Sequence, residues 1–387
     1  MTTLADLSRP PAGWPPARSL YLHVPFCRHR CGYCNFSVVA GRDDLVKRYL
    51  VAIDGELEML GRPKIDTLFI GGGTPNRLSQ EALRTLLATL DRHLEILPGA
   101  EWTVEANPEE ITATQVAILH DGGVNRVSLG VQSFRPEKLR RLERGHSPAV
   151  ALRAIETVAA KINNVSLDLI FAAPGESPED WRADLVTALR SPITHLSAYA
   201  LTYEKGAAFW GRRLRGTLQP ADEGLELEMF LTTREVLRDA GWEHYEVSNF
   251  AREGQRCRHN EAYWQGRCWY GIGPGAAAFR DGRRTVNHRS TTTYLKRVES
   301  GQSPLAESEA ISAEQYAREV AAFGLRMLAG IEPDDFARLT GHSLGAFPGD
   351  PLGWTIAQGL VTCENDRIRL TERGLLFADT VAAKFLG

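Results

Sequence analysis

Three cysteines stand close together near the start of the chain, at Cys27, Cys31 and Cys34, in the spacing C-x3-C-x2-C. Thiolates are soft ligands that suit zinc or iron–sulfur clusters. A structural zinc site takes four protein ligands, and no fourth cysteine lies nearby in the sequence. Three thiolates would instead leave one iron of a 4Fe-4S cube open to a small molecule. Zinc completed by His23 or His29 is the alternative.

The residues around these cysteines narrow the interpretation. Residues 21–36 are Y-L-H-V-P-F-C-R-H-R-C-G-Y-C-N-F, with the aromatic Tyr33 before the last cysteine. This stretch resembles the radical S-adenosylmethionine (SAM) proteins, and within them the group that contains the oxygen-independent coproporphyrinogen III oxidase and the heme chaperone HemW. The resemblance implies a 4Fe-4S cluster on the three cysteines, with SAM bound at the open iron and cleaved to a radical by an electron from the cluster.

Short apolar segments alternate with stretches of helical periodicity over the first 200 residues. They predict strands at residues 20–24, 67–70, 102–105, 126–131, 166–171 and 195–200. Helices are predicted between them at residues 44–60, 80–94, 149–160 and 178–189. Alternating strands and helices imply a parallel sheet, and six such units suggest an incomplete barrel with its ligand at the carboxyl ends of the strands. The resemblance implies the same α/β fold, a partial (β/α)6 barrel.

The chain divides into four regions on these patterns. We expect a loose Pro-rich tail, the partial barrel, an extension of the barrel and a mainly helical, winged-helix-like domain, at residues 1–18, 19–240, 241–308 and 309–387. Within the last region the patterns predict a hairpin at 360–370 and helices at 314–327, 333–339, 351–358 and 371–385. Acidic and basic residues balance there, so we expect a cover for the barrel mouth or a docking module, not a nucleic-acid reader.

Composition excludes several classes of protein. The chain is 43% hydrophobic and 24% charged with a net charge of −3, which argues against a broad nucleic-acid-binding surface. Its apolar runs are shorter than a membrane span, and the Pro-rich start lacks the apolar core of a signal peptide. The other three of its six cysteines, Cys257, Cys268 and Cys363, are dispersed, as suits a reducing compartment. We therefore expect a cytoplasmic protein without an integral membrane segment or a nucleic-acid partner.

Glycines and polar residues follow the predicted strands, where the ligand of such a barrel lies. On the residues alone, the G-G-G-T-P loop at 71–75 fits a tight turn as well as it fits a ligand-binding loop. Glu105 could instead cap a helix or form an ion pair, Gln132 could be a buried amide, and Arg144 could be a surface charge. Taken together and matched to the family's motifs, they resemble its SAM-contacting positions. The set implied by the resemblance is Tyr21, Gly72, Gly73, Thr74, Glu105, Gln132, Arg144 and Asp168.

A second group of candidate residues has the sequence H-N-E-A-Y-W. It offers His259 as an iron ligand, Asn260 as a hydrogen-bonding partner, and Tyr263 and Trp264 as flat surfaces for a macrocycle. The residues alone favour a packed core or a loop on the barrel, and Cys257 is a competing iron ligand. The string resembles the H-N-x-x-Y-W motif associated with heme binding in HemW proteins.

Two features separate the functions known in this group. Asn35 and Phe36 follow Cys34, so the extra cysteine of the oxidase pattern C-x3-C-x2-C-x-C is absent. This departure and the H-N-x-x-Y-W string favour a HemW-type heme chaperone without coproporphyrinogen oxidase activity. The implied cofactors are a 4Fe-4S cluster, SAM and heme. The implied partners are a heme-acceptor protein and, if radical chemistry occurs, an electron donor. The alternatives are the oxidase itself, which decarboxylates two propionates to vinyls, and a radical SAM methyltransferase of the same subgroup.

Overall fold

The computed structural model describes residues 10 and 13–387. At its centre six parallel strands lie side by side in chain order. They are β1 (Ser19–Val24), β2 (Lys64–Gly72), β3 (Glu95–Ala106), β4 (Arg126–Gln132), β5 (Asn164–Phe171) and β6 (His195–Ala200). Each predicted strand is present, and the predicted partial (β/α)6 barrel is confirmed.

Side-chain alternation along the strands separates the core from the barrel interior. In β1, Leu20, Leu22 and Val24 are fully buried in the main apolar core. Successive side chains of a strand point to opposite faces, so Tyr21 and His23 face the other way. The interleaved polar positions of the strands are therefore the ones available to a site.

Helices connect the strands and pack around the barrel. They are α1 (Val46–Glu58), α2 (Gln80–His93), α3 (Ala113–Asp121), α4 (Pro136–Arg141), α5 (Pro148–Ala159), α6 (Pro178–Leu189), α7 (Ala208–Leu214) and α8 (Glu223–Asp239). Single 3-10 turns lie at Asp43–Leu45, Pro75–Arg77, Pro108–Glu110 and Leu344–Ala346. Five of the helices begin at a side chain that accepts the backbone N–H three residues on: Ser79, Thr112, Ser147, Ser177 and Asp222.

The sheet continues past the barrel at both edges and reaches 12 strands. Beside β6 lie two short antiparallel strands, and beside β1 lies a parallel strand followed by three antiparallel ones. In chain order these are β7 (Glu243–Glu246), β8 (Asn249–Ala251), β9 (Trp269–Ile272), β10 (Ala277–Arg280), β11 (Arg283–Asn287) and β12 (Leu305–Ala310). Two helices lie among them, α9 (Arg258–Trp264) and α10 (Thr291–Glu299). None of these six strands was predicted, because they do not alternate with helices as the barrel strands do.

The C-terminal region is mainly helical with one hairpin, as predicted for a winged-helix-like domain. Its helices are α11 (Ala313–Gly324), α12 (Pro333–Thr340), α13 (Pro351–Ala357), α14 (Glu372–Leu376) and α15 (Ala378–Leu386), and its hairpin pairs β13 (Val361–Glu364) with β14 (Arg367–Leu370). The single helix predicted at 371–385 is wrong, because Phe377 leaves helical geometry at φ −119° and divides it. Thr371 caps the first piece, as expected, by accepting the Gly374 N–H.

The predicted tail lies largely outside the described residues, at positions 1–9, 11 and 12. In its described part, Trp14 packs edge-on against Phe279 and Tyr316, with ring centroids 5.6 and 5.2 Å away. Trp14 thereby contacts both the extended sheet and the C-terminal region. None of the helices in the described residues is long and apolar enough to cross a membrane.

Candidate functional site

The three cysteines lie on the loop after β1, and all three line one small cavity of about 150 Å³ at the carboxyl ends of the barrel strands. The loop is tightened by a hydrogen bond of 3.1 Å from the Cys34 N–H to the Cys31 carbonyl. Burial raises the pKa of Cys27 to about 11, although the neighbouring Thr74 hydroxyl lowers it. Burial also raises the pKa of Cys34. A metal bound here must therefore displace thiol protons.

The histidines considered as zinc ligands have other partners. The two ring nitrogens of His23 lie 3.0 Å from the Tyr21 hydroxyl and 2.8 Å from a backbone carbonyl oxygen. His29 Nε2 lies 2.6 Å from the Glu143 carbonyl oxygen. In the described part of the chain, no three His, Cys, Asp or Glu side chains converge as the ligands of a single ion would. The donor set fits a cluster, in which each thiolate reaches a different iron.

Seven of the eight residues expected to contact SAM line the same cavity as the cysteines. These are Gly72, Gly73, Thr74, Glu105, Gln132, Arg144 and Asp168. They meet because the carboxyl ends of neighbouring parallel strands lie at one edge of the sheet. The eighth, Tyr21, lines a neighbouring cavity instead, where its ring lies beside Phe69 at 6.2 Å.

Two partly buried carboxyl groups face this polar cavity. Glu105 accepts the Gly72 N–H at 2.8 Å, and both oxygens of Asp168 lie 3.3 Å from the Ser128 hydroxyl. Burial, together with the negative charge of Asp168, raises the pKa of Glu105 to about 7. Burial also raises the pKa of Asp168. Buried acids with raised pKa values in a cavity are candidates for ligand contact, and a ligand with hydroxyl groups or positive charge would favour their ionised forms.

Close packing explains two of the glycines after β2. Gly72 has φ +106°, and a Cβ there would lie 2.3 Å from the His23 ring. A Cβ on Gly73 would lie 2.8 Å from two backbone oxygens of the cysteine loop. Only glycine fits at either position, and the resulting contact brings Thr74 to the cluster loop, with its hydroxyl 3.5 Å from Cys27 Sγ.

Asn107 connects the two sides of the polar cavity, a role that the sequence analysis missed. It accepts Arg144 Nη2 at 2.6 Å and donates to the Thr74 hydroxyl at 2.9 Å. Arg144 in turn places Nη1 3.7 Å from Cys31 Sγ, while its buried Nε has no partner among the described residues. The only signal in the sequence was the position of Asn107 directly after β3. Asn107 thus helps to hold the Arg144 guanidinium against the cysteine loop.

A larger cavity of about 760 Å³ adjoins the polar one and shares Phe36, Gly72 and Glu105 with it. It contains all four residues of the predicted heme set, namely His259, Asn260, Tyr263 and Trp264. The rest of its wall is largely aromatic and was not predicted: Phe69, Trp269, Phe279, Tyr316 and Phe323. We call this the aromatic cavity. Its volume and mainly apolar wall are those of a site for a flat, drug-sized or larger ligand.

His259 lies at the N-terminus of helix α9, where the helix meets the wall of this cavity. The Glu101 carboxylate caps the helix by accepting the N–H groups of Arg258 and His259 at 2.9 and 3.0 Å. The His259 ring lies 5.1 Å from that of Phe69 in a stacked arrangement. Tyr263 stands four residues on, on the same helix face. The position and plane of the imidazole are therefore fixed before any ligand arrives.

The hydrogen bonds of His259 determine which nitrogen is available. Burial lowers the pKa of His259 to about 3, so the ring is neutral. The Thr67 hydroxyl donates its proton to the Ser19 hydroxyl, with the two oxygens 2.8 Å apart. Because that proton is used, the same Thr67 oxygen acts as the acceptor for the Nδ1–H of His259, which lies 2.9 Å away. The other nitrogen, Nε2, then accepts the Tyr263 hydroxyl proton at 2.8 Å. An iron that displaced the Tyr263 hydroxyl would meet an unprotonated Nε2. The hydrogen bond from Nδ1–H to Thr67 would keep the ring in this tautomer and orientation, as is usual for histidine ligands of metals.

The competing ligand Cys257 is placed differently. It is fully buried, its thiol lies 3.7 Å from the Glu101 carboxylate, and it is not among the described residues that line the aromatic cavity. Burial raises the pKa of its thiol to about 12. The geometry thus favours His259 over Cys257 as an iron ligand.

Comparison with known proteins gives two matching family models and a set of long, similar chains. The Radical SAM superfamily model matches residues 21–187, and the HemN C-terminal domain model matches residues 311–377. The heme chaperone HemW of Mycobacterium tuberculosis is 38% identical over 376 residues, which cover 95% of this chain and 94% of that protein. The heme chaperone HemW of Escherichia coli is 34% identical over 383 residues, covering 96% and 98%.

Among solved structures, the coproporphyrinogen III oxidase HemN of Escherichia coli, a radical SAM enzyme, superposes with a TM-score of 0.83. The alignment covers 96% of this chain and 90% of that one at 20% sequence identity. At this identity the likeness shows the fold, and both the partial barrel and the C-terminal helical region are included in it.

Proposed function

Because this chain belongs to the heme chaperone HemW family of the radical SAM superfamily, we propose that it binds heme in the aromatic cavity and passes it to an acceptor protein. The observation that carries the proposal is the unprotonated Nε2 of His259 in the wall of a large aromatic cavity. An imidazole nitrogen is a common axial ligand of heme iron, and aromatic faces bury the apolar area of a macrocycle.

In the polar cavity we propose a 4Fe-4S cluster on Cys27, Cys31 and Cys34 with SAM beside it. When bound, these groups would supply one-electron chemistry. The chain's own part is to hold them: Thr74 positions Cys27, and Arg144 lies against Cys31. The seven lining residues named above are the proposed SAM contacts, and the buried acids among them suit hydroxyl groups of the ligand.

The C-terminal region supports a covering role. Helix α11 places Tyr316, Glu319, Val320 and Phe323 in the cavity wall, at the spacing of a single helix face. We propose that residues 309–387 act as the cover of the barrel mouth, above a barrel at 19–240 and its extension at 241–308. We further propose a cytoplasmic location, and an electron donor as a second partner if SAM is cleaved.

The test is an anaerobic heme titration of cluster-reconstituted protein. We expect a Soret band that saturates at about one heme per chain. His259→Ala should shift that band and weaken binding by about tenfold or more, which corresponds to about 1.4 kcal/mol. Cys257→Ala should leave the band unchanged. Iron–sulfur content should survive both changes, since the two sites use different residues.

Two results would contradict the proposal. One is a wild-type protein with an intact cluster that binds no more heme than a non-specific control protein. The other is formation of vinyl product from coproporphyrinogen III, SAM and a low-potential reductant at enzyme-like rates, which would identify an oxidase instead.

A further inference from the structure

The aromatic cavity has a polar end that none of the motifs marked. Its floor is one face of the extended sheet. Phe69 on β2 is paired directly with Tyr21 on β1. Trp269 on β9 is paired with Phe279 on β10, and Phe279 is paired in turn with Arg284 on β11. Residues paired across strands present their side chains on the same face. The floor is therefore a strip of four aromatic rings that ends in a guanidinium group.

Tyr21 joins the two halves of this strip. It stands opposite Gly271 on β9, and Trp269 lies two residues earlier on the same strand and so on the same face. The strip crosses five strands, β2, β1, β9, β10 and β11. Four strand spacings of about 4.8 Å make a length of roughly 19 Å. His259 stacks on the ring at one end of the strip, and Arg284 stands at the other end.

Arg284 is the only arginine or lysine among the described residues that line the cavity. Its Nη2 donates to Glu319 Oε2 at 2.5 Å, and its guanidinium lies 5.9 Å from the Phe279 ring centre. Glu319 lies on α11 and also lines the cavity. The side chains of Arg284 and Glu319 are 32% and 20% exposed, so both charges are partly desolvated against an apolar wall. Such a pair contributes little to stability, because the desolvation cost offsets the attraction.

We propose that Arg284 is the carboxylate-binding position of the aromatic cavity and that Glu319 occupies it until a ligand carboxylate takes its place. The inference rests on the proposed function, because it assigns the polar edge of the same ligand. Heme carries two propionate carboxylates at one edge of an otherwise apolar macrocycle. A guanidinium binds a carboxylate through two parallel hydrogen bonds, which gives orientation as well as affinity. With the iron toward His259, Arg284 sets the direction in which the propionates point.

The test compares heme with its dimethyl ester, in which both propionates are blocked. Equilibrium titrations of cluster-reconstituted protein would use wild type, Arg284→Gln, Glu319→Gln and Arg283→Gln. Arg283 is the matched control, because it is the preceding residue of β11, faces the opposite side of the sheet and is exposed. A thermal unfolding measurement of each variant checks that the wall has folded.

Arg284→Gln should weaken heme binding by about ten- to a hundredfold, the usual effect of losing hydrogen bonds to a charged group, and leave ester binding unchanged. Glu319→Gln should strengthen heme binding several-fold, because the guanidinium no longer has a competing carboxylate. Neither ligand should respond to Arg283→Gln.

The outcomes distinguish this inference from the function it rests on. If Arg284→Gln left heme affinity unchanged, or weakened heme and ester equally, Arg284 would not bind the propionates and the inference would be wrong, with heme binding itself intact. If wild-type protein bound neither ligand, the proposed function would fail and this inference with it.

Discussion

The two cavities share a wall but are built in different ways. The polar cavity, of about 150 Å³, is assembled from residues at the ends of neighbouring barrel strands and the loops that follow them. The aromatic cavity, of about 760 Å³, takes its wall from the barrel, from the extended sheet and from helices α9 and α11. The barrel region alone supplies the wall of the polar cavity, whereas the aromatic cavity also requires elements that follow the barrel in sequence. On the proposed assignment, the barrel supplies the site for SAM, and the later elements add the larger site for heme.

The shared wall places the two proposed ligand sites side by side. Phe36, Gly72 and Glu105 line both cavities. Glu105 is the only ionisable group among these three, and its carboxylate is held by the Gly72 N–H. Glu105 is therefore the ionisable group that the two cavities have in common.

The largest effect that separates the cavities is expected from the cluster ligands. Cys27→Ala should reduce reconstituted iron from about four per chain to near zero, because the remaining two thiolates cannot hold the cube. Heme binding should survive, since Cys27 is not among the residues lining the aromatic cavity. Iron and sulfide analysis, followed by heme titration of the same sample, measures both. Cys31→Ala and Cys34→Ala should behave alike.

Three matched controls are available in the dispersed cysteines. Cys257→Ala, Cys268→Ala and Cys363→Ala should retain the cluster. Loss of iron in any of these would show that the three-cysteine assignment is incomplete. Loss of heme binding together with the cluster in Cys27→Ala would show that the two cavities form a single site.

How far the sequence could predict each cavity follows from this difference in construction. The cysteine loop, the glycine loop and Glu105 were all found, because each belongs to a short motif at the end of a strand. The aromatic wall was found only where a local string marked it, at His259 and its neighbours. Phe69 precedes both Phe279 and Tyr316 by more than 200 residues in the sequence, and no local pattern connects the three.

Fold prediction shows the same limit. The strands and helices of the barrel have five or more residues of clear periodicity, and the six strands were located correctly. The four strands added beside β1 were not predicted, although two of them, β9 and β10, carry Trp269 and Phe279 of the aromatic floor. Tyr21 illustrates the consequence. Motif matching assigned it to SAM, which stays a prediction, and its ring lines the aromatic cavity next to strands that sequence periodicity did not reveal.

A second, smaller effect is expected from substitutions that weaken SAM binding in the polar cavity but leave the cluster in place. Asp168→Ala and Glu105→Ala each remove a carboxylate from the cavity wall, and we expect SAM affinity to fall by about ten- to a hundredfold, the equivalent of about 1.5–3 kcal/mol. Cluster content should not change. Binding is measured by the effect of SAM on the EPR spectrum of the reduced cluster.

Ser128→Ala provides the graded control for this pair. Ser128 contacts Asp168 and has no charge of its own, so its loss should weaken SAM binding less than Asp168→Ala does. Unchanged SAM affinity in both carboxylate variants would remove these residues from the SAM site.

The smallest expected effect is a difference in pH dependence between the cavities. Because burial and Asp168 raise the pKa of Glu105 to about 7, its carboxyl group passes from mainly protonated to mainly ionised between pH 6 and pH 8. The ionised form is the better acceptor for ligand hydroxyls, so SAM affinity should rise with pH over this range by a few-fold, and at most about tenfold. Heme affinity should stay level, because the pKa of His259 is about 3 and its imidazole is neutral throughout. Glu105→Gln should remove the pH dependence of SAM binding. A slope that persists in that variant would assign the titration to another group, and a parallel slope for heme would mean that Glu105 governs both ligands across the shared wall.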